Sequence, residues 1–306
     1  MSKNLYKKDN WLKKNIVEIT ILIIGLIIIS LVFYANIYKG TNSLKIKDAD
    51  HFGDFVGGLI GTIFTLFSIV LLYSTLKEQR LSSSIDKFEN KFFELMRIHR
   101  QNVDEMNLKS HNGKKIFVML IRELREAHKI IKDLNDTQEI KLNEKELFKI
   151  SYYILFYGYG PNSTRILNSK LIHDLKKDFI NEIEGTINAK NFKEFIKEEK
   201  KLDYIPFEGH QSRLGHYYRH LYQTIVFVDE QQLNINKYEY VKMLRAQLSI
   251  HEQALLFINS LSDLGEDWWS SGLMHNYKFV KNIPEQFFDK NNEIDYLKCF
   301  PKGYFE

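Results

Sequence analysis

The stretch FVGGLIGTIFTLFSIVLLY, residues 55–73, runs for 19 residues without a charge. A helix rises about 1.5 Å per residue, so this length approaches the ~30 Å of a bilayer's hydrocarbon core and reads as a membrane span. A second uncharged run, ITILIIGLIIISLVFYA at residues 19–35, precedes it. That run exceeds the roughly 7–15 apolar residues of a signal peptide, and no A-x-A-like cleavage site follows in FYANIYKG. Two spans in series, joined by residues 36–54, predict a transmembrane hairpin over residues 16–75. A basic tail, residues 1–15, precedes it, and a helical body, residues 76–306, follows.

Lysine and arginine set the orientation. Lys3, Lys7, Lys8, Lys13 and Lys14 precede the first run, and Lys77, Arg80, Lys87 and Lys91 follow the second, whereas the connecting loop carries three lysines. The positive-inside rule then places both termini in the cytoplasm, with the lipid bilayer as the first partner. Gly53, Gly57 and Gly61 recur every four residues. On a helix this small-xxx-small row allows close backbone approach, either between the two spans or between copies of the chain.

Composition excludes several classes. The single cysteine, Cys299, rules out an intramolecular disulfide and a cysteine zinc cage, and no cofactor motif is present. The net charge of +4 originates in the first 80 residues, which hold 10 Lys/Arg against 6 Asp/Glu; the remaining residues are balanced at 33 each. The body therefore has no strong nucleic-acid signature.

Beyond residue 75 the apolar positions follow helical spacing. Leu81, Ile85, Phe88, Phe92, Leu95, His99, Val103 and Met106 form one stripe with no proline or glycine between residues 75 and 107. HNGK at residues 111–114 and GYGPNS at residues 158–163 are turn signals, with Ser163 placed to cap the next helix. Residues 168–201 and 236–264 each read as long helical stretches. No strand periodicity appears, so the expected fold is all-α: a transmembrane hairpin followed by a cytoplasmic α-helical bundle.

The chemistry concentrates in LGHYYRHLYQTIVFVD, residues 214–229, preceded by Arg213. On a helical wheel Leu214, Tyr218, Leu221, Ile225 and Val228 form the core stripe, while Arg213, His216 and His220 gather on the other side. HYYRH supplies histidines four apart but a tyrosine where H-E-x-x-H carries its general base, so the zinc protease reading fails. His216 and His220 offer two metal ligands without an evident third, so no metal site is assigned. Arg213 and His220 also fit the loose R-x4–6-H spacing of HEPN ribonucleases, in which arginine would hold phosphate and histidine would assist 2′-hydroxyl attack. Arg122 and His128 match the same spacing, which marks its low specificity. The competing reading is a buried polar network. Arg245 and Glu252, on an adjacent face of LRAQLSIHEQALLFINSL at residues 244–261, are its candidate partners, with Glu252 able to meet Arg213 or His220.

FGDFVGG (52–58), FENKFFELMRIHR (88–100), LGHYYRHLYQTIVFVD (214–229) and LRAQLSIHEQALLFINSL (244–261) together resemble the phage abortive infection protein family of the AbiC type. The likeness runs in order from about residue 50 to 262. It implies antiviral defence, in which an infected cell arrests or dies before phage release, and a trigger of phage or host origin; it supplies no active site. The expected function is a membrane-anchored, non-enzymatic sensor and effector whose hairpin self-associates and perturbs the membrane. The alternative is a membrane-tethered, metal-independent ribonuclease using Arg213 and His220.

Overall fold

The computed structural model describes Thr20, Ile23, Gly25, Ile27, Ser30, Asp54 and residues 56–288 and 296–304. The chain forms two compact units, residues 1–90 with Leu233–Ile235, and residues 91–232 with 236–306.

In the first unit one helix dominates. A π-wound turn, Val56–Ile60, leads into α1, Gly61–Asp104, which is unbroken for 44 residues. Among the described residues, 57–104 is the one helix long and apolar enough to cross a membrane; its apolar window has mean hydropathy 2.0 and is 6% buried. Leu66, Ile69, Val70, Leu72 and Tyr73 are all exposed. Thr65, Ser68 and Thr75 turn their hydroxyls back onto the carbonyls of Gly61, Phe64 and Leu71 at 2.8, 2.9 and 2.9 Å. A hydroxyl bonded within its own helix needs no water.

Most of the first expected span, the 36–54 loop and Gly53 lie outside the described residues; Thr20, Ile23, Gly25, Ile27 and Ser30 are helical. Gly57 sits in the π turn and Gly61 opens the α-helix. The glycine row drawn on a uniform α wheel therefore changes pitch between them.

The second unit is a bundle of short helices on the Lys91–Asp104 part of α1. Phe92, His99 and Val103 of the expected stripe are buried there, while Leu95 is half-buried and Met96 is buried beside it. A two-residue antiparallel ribbon, β1 (Asn107–Leu108) with β2 (His111–Asn112), closes the HNGK turn. Then come α2 (Lys115–Thr137) and α3 (Glu144–Tyr157), which starts on a capping box between Asn143 and Glu146. The 168–201 stretch is not one helix but parts of three: α4 (Thr164–Leu171), α5 (Lys177–Ile187) and α6 (Phe192–Glu199). Asn191, at φ +60°, is the left-handed residue that breaks α5 from α6. Ser163 stands at the N-cap of α4, yet its hydroxyl donates to the Gly158 carbonyl and closes the loop instead.

The central helix is α7, Gln211–Asp229. The 236–264 stretch divides into α8 (Lys237–Arg245) and α9 (Ile250–Ser260), because Ser249 and Glu252 form a second capping box that starts a new helix. Short helices α10 (Asp267–Ser270) and α11 (Leu273–Tyr277) follow. Phe300 stacks on Phe257 of α9 at 4.0 Å between ring centroids, which fastens the carboxyl-terminal segment to the core.

Candidate functional site

α7 is positioned at its first residue. The segment Phe207–His210 crosses the end of α3 at backbone contact: the Tyr159 N–H donates to the Phe207 carbonyl at 2.6 Å and that of His210 to Phe156 at 2.9 Å. Gly158 and Gly209 stand on either side of the crossing with φ of +74° and +91°. From α2, the fully buried Glu123 reaches the same segment. Its carboxylate accepts from Tyr204 Oη at 2.6 Å, the Phe207 N–H at 2.8 Å and His210 Nε2 at 2.9 Å. One buried carboxylate thus fixes the turn-rich approach to α7.

The helix then presents two faces. Leu214, Tyr218, Leu221, Ile225 and Val228 are buried, with Tyr217 and Thr224 completing a second buried stripe. On that second side Arg213 Nε donates to the Asn107 carbonyl at 2.8 Å, and the Tyr217 hydroxyl donates to Glu252 Oε1 at 3.1 Å. Burial and the Glu252 carboxylate push the Tyr217 hydroxyl well above the usual phenol range. Glu252 itself is wholly buried; it also accepts from the Ser249 N–H at 2.7 Å and lies 4.0 Å from Lys114 Nζ. Arg213 and Glu252 are therefore separately engaged, and no hydrogen bond or ion pair joins either to His220 among the described residues. Arg245, also buried, donates to the Tyr277 and Lys278 carbonyls at 3.1 and 2.5 Å, tying α8 to the end of α11. The Tyr277 hydroxyl in turn reaches Asp229 of α7 at 2.6 Å.

His220 packs against His99 of α1, with ring centroids 6.0 Å apart and planes at 19°. His99 Nδ1 and both ring nitrogens of His220 are buried without a hydrogen-bond partner. Burial, helped by His220 and Lys114, lowers His99 to about 4, and burial with His216 lowers His220. The second R-x5-H pair is apart by construction, since six residues span 1.67 turns. Arg122 faces the Lys200 carbonyl, while His128 bonds Glu144 at 2.8 Å.

His216 is turned the other way, into an open groove of about 1210 Å³. Its floor is aromatic, with Phe156, Tyr157, Tyr218 and Trp268 all buried. The rim carries both signs of charge, His216 and Arg219 from α7 against Glu208 and Asp267, with the amides of Gln211 and Gln223 between them. An apolar floor under a rim of paired polar groups is what a binding groove requires. The wheel placed His216 with Arg213 and His220; the structure gives it to the groove, beside Arg219, which sequence reasoning passed over. The i,i+3 spacing of these two residues on an exposed face was the available signal.

A family model described as "Putative phage abortive infection protein" matches residues 209–288. The AbiC-type resemblance is matched over that segment, which opens at Gly209 and includes α7 to α11. No curated protein and no solved structure matches the chain.

Proposed function

We propose that this protein is a membrane-anchored phage-defence protein whose body recognises a product of infection in the groove beside α7, and whose apolar hairpin carries the effector step at the bilayer of the cell's inner membrane. The observation that carries the recognition reading is the coincidence of groove and family segment. Every lining residue except Phe156, Tyr157, Asn162, Ser163 and Glu208 belongs to the matched residues. The rim residues His216 and Arg219 are exposed, so they have no packing duty that would explain their place. Replacing them together (His216→Ala with Arg219→Glu) is expected to raise phage plaquing at least about tenfold, the equivalent of ~1.4 kcal/mol of lost binding, at unchanged protein level. Full protection in the double variant discards the groove as the recognition site.

The anchoring reading is supported by the exposed apolar face of α1 and its internally bonded hydroxyls. A Cβ built on Gly25 would lie 3.5 Å from the Phe64 ring, ordinary contact for two packed helices. Gly57 and Gly61, the described members of the glycine row, are the positions at which the reading is tested. Gly57→Leu with Gly61→Leu is expected to abolish protection while the protein stays in the membrane fraction. A membrane-potential dye and total RNA followed in the same infected culture separate the effector readings. Depolarisation with intact RNA, lost in the leucine variant, is the expected result. RNA fragmentation that disappears with His220→Ala would instead establish the ribonuclease alternative.

A further inference from the structure

We propose that the His99–His220 contact is a proton-sensing joint between α1 and α7, in which both rings pack as neutral imidazoles and protonation of either one drives the helices apart. Three of the pair's ring nitrogens are buried with no hydrogen-bond partner. A buried polar atom without a partner is uncommon and calls for a cause. Here each nitrogen is a lone pair or an N–H held out of water, and the available ligand is a proton. A metal ion would need further donors, and among the described residues no three His, Cys, Asp or Glu side chains converge.

The surroundings decide the direction. From α2 the Lys114 ammonium acts on His99, and from α7 His216 acts on His220. The Tyr217 ring lies 5.2 Å from that of His99, but its hydroxyl is committed to Glu252 on α9. That carboxylate is in turn engaged by Ser249 and lies 4.0 Å from Lys114. Among the described residues no carboxylate is hydrogen-bonded to either imidazole, so a proton arriving there is an uncompensated buried charge. Contrast His210 and His128, each of which is joined to a glutamate, at 2.9 and 2.8 Å. The same fold pairs those histidines and leaves this couple unpaired.

The sign follows from the folded and open values. An open histidine titrates near 6.5, whereas closed His99 resists protonation down to about 4, so acid favours the open form throughout that interval. From about pH 7.5 to about pH 5.5 the ratio of closed to open molecules should fall about tenfold. The joint is closed at neutral pH and yields when its compartment acidifies.

The test is hydrogen–deuterium exchange by mass spectrometry on the full chain in nanodiscs, corrected for the intrinsic pH dependence of exchange. Protection of residues 95–104 and 213–221 should fall about tenfold between about pH 7.5 and 5.5, while α3 is unaffected. The double variant His99→Phe, His220→Phe keeps aromatic packing and should lose the response. Lys114→Met removes a repelling cation and so raises the closed value of His99 toward the open one, and the acid-induced fall in protection, followed down to about pH 4.5, should be smaller than in the wild type. A wild type with pH-independent protection in these segments overturns the proposal. So does an unchanged response in the double variant, or a Lys114→Met response as large as the wild type's; the last also serves should the double variant not fold.

Discussion

Glu123→Ala is expected to destabilise the body by about 3–5 kcal/mol, roughly 10 °C in Tm for a domain of this size, read by circular dichroism of the detergent-solubilised chain. The side chain is fully buried and is the common acceptor for Tyr204, Phe207 and His210. Truncation leaves a buried phenol, a backbone N–H and an imidazole without the acceptor they share. The loss of such partners costs the desolvation of each stranded group, which exceeds the net worth of the bonds removed. Phe207 sharpens the effect, because its φ of +63° is a left-handed conformation that a non-glycine residue holds only when its surroundings enforce it. Glu123→Gln should cost less, since an amide oxygen still accepts from the Phe207 N–H. A loss of under about 1 kcal/mol for Glu123→Ala would mean that the 204–210 approach to α7 is held by other contacts.

Glu123 was not legible in the sequence, for a physical reason. It stands between Ile121 and Leu124 on a helix of mixed apolar and charged residues, and its nearest partner in the chain is 81 residues away. Local periodicity carries no information on such a contact. What depends on local spacing was largely readable: the Leu214-to-Val228 stripe is buried throughout, and of the stripe from Leu81 to Met106 all but the exposed Leu81 and the half-buried Leu95 are buried. Helix ends were partly readable. The sequence Ser249-Ile-His-Glu252 is a capping box in plain view, but Leu244, Leu248, Leu255 and Ile258 kept helical phase across it and concealed the break. His99 was read as one more apolar-stripe position; only the packing of α1 on α7 brings His220 to it. GYGPNS reads as a turn, but nothing in the sequence indicates that the segment before α7 crosses it.

That crossing sets the second large effect. Gly209→Ala is expected to cost at least about 4 kcal/mol and to abolish protection by preventing α7 from docking. Gly209 has φ +91°, where an L side chain is strained, and a Cβ there would lie 2.1 Å from the Tyr157 carbonyl oxygen. The obstacle is backbone, so no rotamer change relieves it. The two segments must separate, and with them go the hydrogen bonds from Tyr159 to Phe207 and from His210 to Phe156. Gly158→Ala meets the same barrier from the opposite side, 2.2 Å from the Gly209 nitrogen, and should behave alike. Gly185 is the control: it lies inside α5 with nothing within 4 Å of a built Cβ. Gly185→Ala should therefore stabilise by about 0.5–1 kcal/mol, through helix propensity alone. Thermal unfolding of the three variants in parallel distinguishes a steric crossing from a general intolerance of glycine replacement. Near-native stability in Gly209→Ala would show that the 207–210 segment has a second way past α3, and that α7 does not owe its position to the paired glycines.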